Sequence, residues 1–80
     1  MAKKVPLMEP GYGERIEKAR VDRLWSKVEF SKRLGVSKAA VQQWENEVNP
    51  PGMVKLREIA KKLGVSIRSL RFQETELGHD

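Results

Sequence analysis

The chain has 80 residues, 39% of them hydrophobic and 34% charged, and carries a formal net charge of +5 at pH 7. That length allows one small domain. With no cysteine it can form no disulfide, thiolate nucleophile or zinc finger, and a single histidine, His79, is no basis for a metal site. No metal and no cofactor are therefore expected. No run approaches the roughly 18 apolar residues of a spanning helix, and no signal-peptide core follows the amino terminus. A cytoplasmic protein is the expectation.

In chain order, residues 1–13 (MAKKVPLMEPGYG) hold Pro6, Pro10, Gly11 and Gly13 and read as a flexible arm carrying Lys3 and Lys4. Residues 14–72 read as an all-α domain. Its first helix runs from Glu14 to about Leu24, with a thin stripe of Ile16, Ala19, Arg20 and Arg23 that must lean on its neighbours. The second runs from about Lys27 to Leu34 and opens with a capping box. Ser26 accepts from the N–H three residues on, and Glu29 reaches back to the N–H of Ser26. Gly35 supplies the left-handed turn that ends it, and Ser37 caps a third helix, about Lys38 to Glu45.

The segment 46–52 (NEVNPPG) must be a loop, because consecutive prolines and a glycine forbid helix there. Helix four, about Met53 to Leu63, places Met53, Leu56, Ile59, Ala60 and Leu63 on one stripe and stops at Gly64. Ser66 caps a short fifth helix reaching about Phe72. The polar tail from Gln73 to Asp80 is expected to fray. Nothing reads as strand. KRLGVS at 32–37 recurs as KKLGVS at 61–66, so the sequence spells a glycine turn into a serine-capped helix twice.

Charge and periodicity point to a polyanionic partner. Residues 14–72 hold fourteen Lys or Arg against seven Asp or Glu, while the flanks are net acidic. A basic body of this kind favours nucleic acid over a membrane surface. Winding helix three at about 100° per residue puts Ala40, Val41 and Trp44 on one arc. Lys38, Ala39, Gln42, Gln43 and Asn46 fall on the other. Carboxamides match adenine N6 and N7, lysine can donate to guanine O6 or N7, and alanine can meet a thymine methyl. Two short helices joined by a glycine turn are the minimal device for placing such a face in a major groove. Trp25 and Trp44 sit at amphipathic positions and are assigned to packing rather than to stacking on bases. No phosphate-cradling glycine loop, nucleophile–histidine–acid set or paired carboxylates appear, so an enzyme is not expected.

GERIEKARVDRLWSKVEFSKRLGVSKAAVQQWE, followed by a proline-bearing loop and KLREIAKKLGVSIRSL, resembles the lambda-repressor-like Cro/Xre family of five-helix DNA-binding domains over residues 13–72. The resemblance implies a compact five-helix fold whose helices two and three form the helix-turn-helix, with helix three as recognition helix. Phe30, Leu34, Val36, Val41 and Trp44 would be core positions, with Ser31 and Gly35 at the close approach of the two helices. Arg20 and Glu45 would form an internal salt bridge. Lys27, Ser37, Asn46 and Asn49 would touch phosphates, while Lys38, Ala39, Gln42 and Gln43 would read bases. Glu47 departs from the pattern, which has glycine there, and with Glu45 it places negative charge beside the proposed reading face.

The reading that results is a sequence-specific transcriptional regulator, a repressor binding double-stranded DNA at a palindromic operator as a homodimer. Lys3 and Lys4 could add an arm contact to the duplex. Leu70, Phe72 and Leu77 are candidates for the dimer contact, the alternative being that helix five closes the monomer core. Two other readings fit the same residues: an antitoxin that also binds a toxin protein, and a helix-turn-helix adaptor indifferent to DNA sequence.

Overall fold

The computed structural model describes residues 8–72. These form α1 (Tyr12–Asp22), α2 (Lys27–Leu34), α3 (Lys38–Glu45), α4 (Met53–Leu63) and α5 (Ile67–Arg71), with no strand among the described residues. Helix α3 packs against both α2 and α1, α4 covers α2, and α5 bridges α1 and α4. Every helix therefore gives its apolar stripe to one shared interior. At its centre Ile16, Phe30, Val41, Leu56, Ile59, Leu63 and Leu70 are essentially sealed from solvent. Such short helices are marginal in isolation, so this common core is what holds them folded.

The termini of α2, α3 and α5 follow from local chemistry. Ser26, Ser37 and Ser66 each take an extended backbone, and each hydroxyl accepts from the amide three residues on, at 3.0, 3.1 and 3.0 Å. The second half of the capping box is not made. The Glu29 carboxylate turns instead to Arg33 one turn on, at 2.9 Å. Gly35 and Gly64 end α2 and α4 at φ 72° and 70°, a region that costs a residue with a Cβ. Leu24 takes a similar value, φ 62°, and stops α1 at Asp22, two residues short of the end predicted from periodicity.

The amino-terminal boundary also differs. Helix α1 begins at Tyr12 rather than Glu14, and Met8 and Tyr12 are both buried in the core. The Glu9 amide donates to the Arg71 carbonyl at 2.7 Å. Arg15 reinforces this join by donating to the carbonyls of Glu9, Leu70 and Arg71 at 3.0, 3.0 and 2.9 Å. One guanidinium thus holds the start of the domain to the end of α5. Of the arm predicted for 1–13, residues 8–13 are packed against the domain, and Lys3 and Lys4 lie outside the described residues. Met53, predicted on the apolar stripe of α4, stays exposed at the first turn of that helix, while Leu56, Ile59, Ala60 and Leu63 are buried.

Candidate nucleic-acid interface

The arrangement of α2 and α3 begins with what they bury. Phe30 and Leu34 of α2 and Val41 and Trp44 of α3 face the core, with Val36 of the turn half-buried between the two helices. Ser31 sits buried at the crossing and donates from its hydroxyl to the Val28 carbonyl at 2.7 Å, so no polar atom is stranded there. The Val36 amide donates back to the Ser31 carbonyl at 3.0 Å and closes the glycine turn. With one side of α3 anchored in this way, Lys38, Ala39, Gln42 and Gln43 are all exposed on the other.

Those four residues line a single shallow concavity of about 440 Å³ with Asn46 and Val48. Asn46 caps the end of α3 and, like Asn49, is exposed. Ser37 is exposed at the opposite end of the helix, where its hydroxyl already caps Ala40. Lys27 is half-buried in the first turn of α2. Val48 was not among the residues singled out from sequence. It belongs to the loop, beyond the reach of any helical periodicity.

The two acids beside this face are both committed elsewhere. Arg20 and Glu45 pair fork to fork, with Nε and Nη2 donating to the carboxylate at 2.7 and 3.0 Å, and Arg20 Nη1 donates to the Trp25 carbonyl at 2.8 Å. The Glu45 side chain is only 2% exposed, so it ties α1 to α3 from inside. Glu47 turns back as well. Its carboxylate accepts from the amides of Gly11 and Gly13, both at 3.0 Å, and so caps α1 from 34 and 36 residues away in sequence. An anion at a helix amino terminus is favoured by the free N–H groups and by the helix dipole.

This remote cap explains why α1 starts at a Gly-Tyr-Gly segment that reads as a breaker. Gly13 is required there, since a Cβ would run into the backbone carbonyl of Glu45. Burial, together with the nearby Glu47 carboxylate, pushes the Tyr12 phenol above its usual pKa.

The remaining predicted residues divide. Leu70, a candidate for a dimer contact, is 1% exposed and belongs to the monomer core, because α5 inserts it between α1 and α4. Phe72 is half-buried with the Arg71 guanidinium 4.6 Å from its ring, and Leu77 lies outside the described residues. Trp44 is buried. Trp25 is half-buried, stacked on Phe30 with ring centroids 6.1 Å apart and covered by Arg33 at 4.5 Å. Among the described residues no cluster of histidine and acidic side chains could hold a metal ion, and no helix is long and apolar enough to cross a membrane.

Comparison with known proteins agrees with this geometry. A Helix-turn-helix family model matches residues 16–70. The P22 c2 repressor, solved in complex with a synthetic operator, is 30% identical at a TM-score of 0.75, the match covering 79% of this chain and 96% of that one. SinR, named as the master regulator for biofilm formation and solved in complex with DNA, is 27% identical at a TM-score of 0.69, over 74% of this chain and 95% of that one. SinR comes from Bacillus subtilis. The apo form of the enzyme HppE is 28% identical at a TM-score of 0.70, but over only 35% of its own chain. No curated protein sequence matches. With its anchored α2–α3 pair, its five-helix core and a family match spanning most of the domain, the chain belongs to the Cro/C1-type helix-turn-helix family.

Proposed function

We propose that this chain is a sequence-specific DNA-binding transcriptional regulator, a repressor that sets α3 into the major groove of a palindromic operator as a homodimer. The observation that carries the reading is the solvent face of α3, where Lys38, Ala39, Gln42 and Gln43 share one concavity free of carboxylates. Lysine and glutamine at that place can donate to and accept from base edges, and the alanine can meet a thymine methyl. Lys27 in the first turn of α2, Ser37 and Asn46 at the two ends of α3, and Asn49 in the loop that follows would supply contacts to phosphates that set register without reading sequence. The operator-bound P22 c2 repressor and DNA-bound SinR support the same use of this chain's fold.

A dimer would hold two copies of α3 about 34 Å apart along one face of the duplex. With Leu70 in the core, Phe72 is the described residue of the original dimer set that remains partly accessible. Selection of bound sequences from a random DNA pool tests the proposal directly. The expected product is an inverted repeat with half-sites about one helical turn apart. Enrichment of no motif, with binding that follows salt alone, would reject sequence-specific reading.

A further inference from the structure

We infer that Val48 is a specificity-determining residue that reads the C5-methyl group of a thymine at the margin of the site contacted by α3. The inference rests on the DNA-reading role proposed above and adds to it a residue from outside the recognition helix. Val48 lines the same concavity as Lys38, Ala39, Gln42 and Gln43 and is 62% exposed, although it is the one branched aliphatic side chain there. No core contact accounts for its presence. It is nevertheless held in place, because its amide donates to the Gln43 carbonyl at 2.9 Å and a β-branched side chain has little χ1 freedom.

The preceding residue sets that position. Glu47 adopts φ 58°, an uncommon backbone for a residue other than glycine, and its carboxylate is fastened to the amides of Gly11 and Gly13. The chain reversal that sends Glu47 toward α1 leaves Val48 facing the concavity. The strain at Glu47 is therefore held by the domain body rather than by the loop.

The chemistry of Val48 limits what it can recognise. It offers neither donor nor acceptor, and the distinctive apolar group on a major-groove base edge is the thymine methyl. A polar neighbourhood of amides and an ammonium with one fixed aliphatic group at its rim matches a mixed edge containing one such methyl.

Replacing thymine by uracil removes that methyl and nothing else. Each thymine of the selected operator is replaced singly, and affinity is measured for the wild-type chain and for Val48→Ala, whose thermal midpoint is recorded alongside. At one position uracil should weaken wild-type binding about fourfold, the worth of one methyl-sized contact. Val48→Ala should lose that sensitivity while keeping any thymine preference due to Ala39. Equal uracil effects in both proteins at every position would overturn the role of Val48 and leave α3 as the reader. A random pool that yields no motif would instead overturn the DNA-reading proposal, and this inference with it.

Discussion

At Gln43 the side chain leaves α3 toward solvent while the next residue, Trp44, is driven into the core, so its direction is set by packing it does not itself take part in. The Gln43 carbonyl is engaged too, by the amide of Val48. A carboxamide carried on a backbone so constrained has a fixed point of departure toward the bases, although the side chain itself must be ordered on binding. Its bidentate match to one base edge is what would discriminate. Gln43→Ala should therefore cost about 1–3 kcal/mol on the selected operator and relax the preference at one base pair. Titrations against the operator and a scrambled duplex check this, and an equal loss on both would assign Gln43 to non-specific binding. Arg20 and Glu45 illustrate the opposite use of polar residues. Buried and satisfied by each other and by the Trp25 carbonyl, they hold α3 in position from behind.

Among the elements, α1 depends most on its surroundings. Its amino terminus has no side-chain cap from Gly11, its own N-cap residue, and receives the Glu47 carboxylate instead. Two opposing effects meet at position 47: glycine would relieve the backbone at φ 58°, whereas the carboxylate stabilises the helix end. Glu47→Ala loses the cap and keeps the strained backbone. Glu47→Gly loses only the cap. Alanine should consequently destabilise the domain more than glycine does, by about 1 kcal/mol, as read from urea denaturation midpoints at constant slope. The reverse order would show that the positive φ at position 47 does not strain the folded chain. Glycine would make this turn without strain, whereas the glutamate of this chain accepts the strain and supplies the cap.

For the whole molecule the relevant quantity is the surplus of positive charge on the folded body. Residues 14–72 carry fourteen Lys or Arg against seven Asp or Glu, and two of those acids, Glu45 and Glu47, are directed away from the α3 face. Binding to DNA should weaken steeply with salt, because each neutralised phosphate releases counterions. Under the proposed function Lys27, in the first turn of α2, would contribute to this general attraction rather than to base reading. Lys27→Ala should lower affinity for all sequences alike and reduce the slope of log K against log salt by about one contact's worth. An unchanged slope across a salt series would remove Lys27 from the phosphate contacts.

The sequence by itself determined the helices and the face of α3, because these follow from signals a few residues long. Serine caps, glycine stops and the turn-by-turn spacing of Val41 and Trp44 against Gln42 and Gln43 are all local, and α2, α3 and α4 begin and end at the residues they indicate. What only the tertiary structure decided depends on partners distant in the chain. The start of α1 required a carboxylate from position 47, and the packing of residues 8–13 required the carbonyls at the end of α5. The burial of Leu70 required α1 and α4 on either side, and the exposure of Val48 required the turn at Glu47. Helical periodicity says which way a side chain leaves its own axis. It carries no information about a loop, or about which remote group will meet an unsatisfied helix end.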